Sequence, residues 1–110
     1  MIEAVIRKKR DKFVSYEISG HANSGTGEFE FDVVCADVSV LSITTANNFY
    51  KMANVKPIAK MEDGYLYVEV PLSIPEKQEQ IVQILFQAFA NAMTEVSEEF
   101  PQYVHLTIES

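Results

Sequence analysis

Cysteine is nearly missing from this chain: 110 residues hold only Cys35. A lone thiol excludes an intramolecular disulfide framework, so a reducing cytoplasm is the expected setting. Metal ligands are equally sparse. One Cys, two distant histidines (His21 and His105) and scattered carboxylates form no closely spaced set, and neither a metal nor any other cofactor is expected. There is no Gly-x-Gly-x-x-Gly run, no phosphate-binding Gly-Lys-Ser/Thr loop and no basic aromatic nucleic-acid motif. No apolar run approaches the roughly 20 residues that span a bilayer, and Met1-Ile2-Glu3-Ala4 lacks the charge and apolar stretch of a signal peptide, so no membrane partner is expected. Internal repeats, linkers and low-complexity segments are also absent, which leaves residues 1–110 as one expected domain.

Cations are few as well. Nine Lys and Arg stand against sixteen Asp and Glu, a net charge of −7. Arg7, Lys8, Lys9, Arg10 and Lys12 are five of those nine, so the remainder is strongly acidic. Such a body argues against direct nucleic-acid binding and suits a basic protein substrate. The basic cluster itself reads as the solvated tip of a hairpin, with contact to an RNA or another anion as the alternative.

Ile2 to Arg7 and Phe13 to Ser19 read as the two strands around that tip, with Val14, Tyr16 and Ile18 on the apolar face of the second. From Val33 to Ala53 there is neither Gly nor Pro, too long a run for an ordinary strand and ordinary for a helix. Val34, Val38, Leu41, Thr45, Phe49 and Met52 would form its buried face. Val55 to Lys60 and Tyr65 to Val70 flank an Asp63-Gly64 turn, with Leu66, Val68 and Val70 expected in the core. Ser73-Ile74-Pro75-Glu76 has the form of a capping box, opening a second helix on which Ile81, Ile84, Leu85, Ala88, Phe89, Ala92, Met93 and Val96 recur at helical spacing. Tyr103 to Glu109 closes the chain as a strand, with His105 on its polar face in a structural role. The order ββαββαβ predicts a two-layer α+β fold, a mainly antiparallel five-stranded sheet with two helices on one face.

Chemistry concentrates between Gly20 and Leu41. This stretch holds Cys35, His21 and three of the four glycines, Gly20, Gly25 and Gly27. A thiol and an imidazole are the side chains most readily turned into a nucleophile and its base near neutral pH. Gly25 and Gly27 would let the backbone pass close to a ligand, as a gate over the Cys or as simple turns. If Asp32 is the N-cap, Cys35 falls in the first helical turn, where unpaired N–H groups favour a thiolate. Asp32 has two further readings, as a group orienting the histidine and as a substrate contact. Ser39 lies four residues after Cys35 and so on the same helix face, near enough to support the thiolate or to bond its own backbone.

Gly20-His21-Ala22, followed by Asp32-Val33-Val34-Cys35-Ala36 and Val38-Ser39, resembles the ribosomal-processing cysteine protease (Prp, YsxB-like) family. The resemblance covers the whole chain in length and order of elements, and its specific signal sits in these two motifs. Asp37 departs from it, standing where the family has a small apolar residue, and would oppose a thiolate if it faced Cys35. What the resemblance implies is a cysteine endopeptidase with a catalytic Cys35–His21 dyad and Gly20, Gly25, Gly27, Asp32 and Ser39 as supporting or substrate-binding residues. It further implies removal, after an aromatic pair, of a short N-terminal extension from a large-subunit ribosomal protein precursor, and a homodimer. A non-catalytic ribosome-associated binding module, with Cys35 buried and inert, is the alternative.

Overall fold

The computed structural model describes residues 1–20 and 29–110. Its elements are β1 (Ile2–Lys9), β2 (Lys12–Ser19), α1 (Phe29–Ala53), β3 (Ile58–Glu62), β4 (Tyr65–Glu69), α2 (Glu76–Glu99) and β5 (Val104–Glu109). The sheet runs β3-β4-β2-β1-β5. All neighbours are antiparallel except β1 and β5, which are parallel from Ile2↔Val104 to Arg7↔Glu109. A mixed five-stranded sheet with two helices is thus the α+β fold the sequence predicts.

Both helices lie on one sheet face, because alternate residues of the central strands form one apolar surface. Ile2, Ala4, Ile6, Tyr16, Ile18, Leu66 and Val68 are almost completely buried there. Against them α2 sets Val82, Phe86, Phe89, Ala90 and Met93. The buried stripe is therefore rotated from the one expected: Phe89 and Met93 are on it, while Ile84 is 69% exposed. Phe86 is the hub, its ring centroid 5.4 Å from that of Phe13, 5.6 Å from Tyr16 and 5.1 Å from Phe49.

Phe13 was expected on the solvent face. A bulge moves it: Arg7 pairs with Ser15 but Lys8 pairs with Phe13, so Val14 is the extra residue and strand parity reverses beyond it. The tip that follows has Arg10 at φ 54 and Asp11 at φ 65, the geometry of a two-residue I′ turn, and both residues are exposed. Much of the basic cluster is committed within the molecule. Arg7 bonds Glu17 at 3.0 Å and Glu109 at 3.4 Å, Lys12 reaches Glu79 at 3.7 Å, and the Lys8 ammonium lies 4.8 Å over the Phe13 ring.

Helix boundaries correct three expectations. α1 starts at Phe29, and its first turn carries Glu30 and Asp32, so Asp32 is inside the helix and does not cap it. At the other end Asn54 takes φ 55 and donates its N–H to the Tyr50 carbonyl at 2.9 Å, a left-handed cap that ends the helix without glycine. The following strand consequently starts at Ile58 and not at Val55, which is buried in the connection. α2 is preceded by Pro75 in an extended conformation (φ −55, ψ 147) as its N-cap, with no side-chain cap bond, so the Ser73 capping box does not form. The α1 buried face holds Phe31, Val34, Cys35, Val38, Ser42, Phe49 and Ala53, whereas Met52 is 59% exposed.

Candidate active site

Cys35 is the seventh residue of α1 and 5% exposed. It is in the second turn, beyond the reach of the unpaired N–H groups at the helix start, and the expected first-turn stabilisation of its thiolate is lost. Burial pushes the thiol above its ordinary range, the Asp32 charge pushes it further the same way, and the amino group of Met1 opposes them. Asp37 is exposed, and Asp32 is the acidic residue that acts on the thiol. The concern raised by Asp37 therefore transfers to Asp32.

Two contacts hold this part of α1 over one end of the sheet. The Phe31 ring, one turn before Cys35, packs 5.6 Å from that of Tyr103, and Gln102 reaches Glu30 at 3.3 Å. The Tyr103 carbonyl accepts from Ile2 N–H at 2.7 Å, which joins the start of β5 to the start of β1. Farther along, the Tyr16 hydroxyl donates to the Ser42 carbonyl at 2.5 Å and ties α1 to the sheet centre. Ser42 is itself fully buried and returns its hydroxyl to the Val38 carbonyl at 2.7 Å. Ser39, half-buried between Cys35 and Ser42, offers its carbonyl to the same hydroxyl at 3.2 Å.

Gly20 stands at this end of the sheet too. It adopts φ 79, and a Cβ there would lie 2.5 Å from the Met1 carbonyl oxygen. Its N–H donates to the Gly64 carbonyl at 2.8 Å. Only glycine satisfies both the left-handed conformation and the close backbone approach. Met1 thus lies against Gly20 through its carbonyl and acts on Cys35 through its amino charge, so Gly20 and Cys35 share this end of the sheet.

His21, Gly25 and Gly27 lie outside the described residues. Gly20, Asp32, Cys35 and Ser39 are described. The sequence reading missed Phe31 and Tyr103; the available signals were an aromatic exactly one helical turn before the cysteine and another just after Pro101. His105 is exposed, with its Nδ1 2.9 Å from a Glu3 carboxylate oxygen. Among the described residues no cluster of three His, Cys, Asp or Glu could hold a metal, and no helix is long and apolar enough to cross a membrane.

A single thiol carried by a helix against the end of a mixed α+β sheet defines a small helix-borne thiol site on a two-layer fold. The model of the cysteine protease Prp family matches residues 1–105, and the chain belongs to that family. It is a cysteine protease. Among solved structures, that of SMU.848 from Streptococcus mutans is 34% identical over 100% of this chain and 96% of its own, with a TM-score of 0.89. The essential ribosomal processing protease Prp from S. aureus in complex with a substrate peptide is 18% identical over 98% of this chain and 99% of its own, with a TM-score of 0.82. The same protease with a covalently linked product peptide gives 18% identity, the same coverage of 98% and 99%, and a TM-score of 0.78. No curated protein is significantly similar to the chain in sequence.

Proposed function

We propose that this chain is a cytoplasmic endopeptidase that removes a short N-terminal extension from a large-subunit ribosomal protein precursor, with Cys35 as nucleophile and His21 as its base. One observation carries the reading: the chain belongs to a family of cysteine proteases and possesses a single cysteine. Support for the substrate comes from the S. aureus neighbour, a ribosomal processing protease solved with a substrate peptide and with a covalently linked product peptide. The acidic character of the chain suits a basic substrate.

In the proposed sequence His21 takes the Sγ proton as Sγ bonds to the scissile carbonyl carbon, whose oxygen becomes the oxyanion. Collapse breaks the C–N bond, and the protonated imidazole returns the proton to the departing amine. Water then hydrolyses the thioester and frees the thiol. Because burial and Asp32 hold Cys35 protonated, a proton acceptor is a requirement of this chemistry, and His21 is the candidate that fills it. Gly20 fixes the direction of the chain ahead of His21, and Ser39 supports the helix beside the thiol. Gly25 and Gly27 allow close approach to the substrate. The active unit is taken as a homodimer.

Cleavage kinetics of Cys35→Ala and His21→Ala on a peptide spanning the precursor junction test the dyad. Each substitution should lower turnover by at least about 10³-fold with the far-ultraviolet circular dichroism unchanged. Substantial turnover by either folded variant would reject it.

A further inference from the structure

α1 has a second apolar face. Phe29, Val33, Ala36, Val40 and Ile43, continuing through Asn47 to Tyr50, alternate at spacings of four and three residues, the pattern of a helix–helix seam. At 100° per residue this line lies roughly opposite the buried stripe through Val34, Val38 and Ser42. Apart from Ile43, which is half-buried against the core, it faces solvent: Phe29 is 81% exposed, Val33 41%, Val40 61% and Tyr50 59%. A helix apolar on both sides is ordinarily covered on both. α2, by contrast, exposes a single large hydrophobic residue, Ile84.

The sheet beside this face is bare as well. Ala59 pairs with Val68 and Met61 with Leu66, so both share the core face of the sheet, yet both are exposed, Met61 at 61%. Among the described residues no helix covers β3 on that side. A cleft of about 500 Å³ runs between the C-terminal end of α1 and β3, lined by Tyr50, Lys51, Pro57 and Ala59. The described helix layer therefore leaves room for one more helix, next to α1 and over β3.

We infer that a second copy of α1 fills this place, packing antiparallel on the first about a two-fold axis at Val40, with the partner's Phe29 seated in the α1–β3 cleft. The inference rests on the homodimer reading and assigns its surface. Self-complementarity selects the occupant and its direction. One flank of the seam is acidic near its N-terminal end, with Glu30 and Asp37, and basic near its C-terminal end, with Lys51. Antiparallel pairing brings Glu30 toward the partner's Lys51, whereas parallel pairing would set like charges side by side. It also brings the largest exposed apolar side chain, Phe29, to the partner's Tyr50 and Lys51, which line the cleft. The seam from Phe29 to Tyr50 is about 33 Å long and roughly 10 Å wide. That strip is short of the roughly 800 Å² per partner of a stable interface, and the cleft and β3 supply the remainder. Because α1 also carries Cys35, the interface would brace the helix of each proposed active site.

Disulfide trapping tests the seam without reference to peptide cleavage. Cys35→Ser, with Cys35→Ala as a second background, removes the native thiol; Val40→Cys or Val33→Cys then adds one, and a mild oxidant is supplied to join two thiols as a disulfide. Val40→Cys should form a covalent dimer, since the residue meets its own copy across the axis at helix-contact distance. Val33→Cys, roughly 20 Å from its copy, should not. Val40→Glu in the otherwise unaltered chain should shift sedimentation equilibrium from dimer to monomer. Trapping of both cysteine variants would overturn the antiparallel direction. A dimer that Val40→Glu leaves intact and Val40→Cys does not trap would overturn the surface, and a monomer in all forms would overturn the homodimer with it.

Discussion

A thiol attacks as its thiolate, and most of what surrounds Cys35 among the described residues disfavours that form. Burial comes first and the Asp32 carboxylate second, so alkylation of the free protein by iodoacetamide should accelerate only above the ordinary thiol pKa of about 8.5. Asp32→Asn removes the second cause. Its alkylation profile should move to lower pH, and an unchanged or higher midpoint would show that Asp32 does not act on the thiol. Gly20 makes a separate demand at the same scale. Gly20→Ala combines a left-handed φ with a clash against the Met1 backbone, for a loss of about 2 kcal/mol or more in denaturant unfolding. A stability equal to that of the parent would contradict the close approach.

At the scale of elements, α1 is positioned by side chains that a linear reading does not single out. Tyr16→Phe should cost about 1 kcal/mol of unfolding free energy by removing the bond to the Ser42 carbonyl, measured by urea titration. On the open sheet face the Glu17 carboxyl is held below the ordinary carboxylate range, first by the Tyr65 hydroxyl and then by Arg7. A depressed folded-state pKa contributes stability above the unfolded value near 4.5 that is lost as pH falls through the folded one. The acid limb of the stability profile should therefore flatten in Glu17→Gln, and an unaltered limb would count against the network. The order of elements along the chain, the helix number and the core faces of β4 and of β2 from Tyr16 onward were legible because period-two and helical patterns report one buried side. Less legible was whatever depended on tertiary choice. With Ile84 and Leu85 adjacent, periodicity alone does not decide how α2 is rotated, and the bulge at Val14 leaves no local mark. The α1 start was read too late because Phe29 to Phe31 alternate as a strand would, and the packing of Phe31 on Tyr103 is a tertiary contact that this local pattern does not report. Of the candidate site, the thiol and its helix were readable, whereas the burial and acidic neighbour that raise its pKa were not.

For the molecule as a whole, the aromatic cluster about Phe86 joins β2, α1 and α2 into one core, so Phe86→Ala should destabilise by about 3–5 kcal/mol. The open sheet face is polar, and the apolar surface that remains uncovered is concentrated on α1 and β3. One side of α1 therefore holds the thiol against the sheet, and the other is assigned to a second copy. Membership of the cysteine protease Prp family fixes the class of reaction. The substrate and the residues that act on it are the proposal, and one measurement reaches both: mass spectrometry of the extended ribosomal-protein precursor after incubation with this protein or with Cys35→Ser. A single cut after the aromatic pair, present with the parent and absent with the variant, is the predicted result. A precursor left whole by folded, uninhibited protein, or cut equally by Cys35→Ser, would contradict the account.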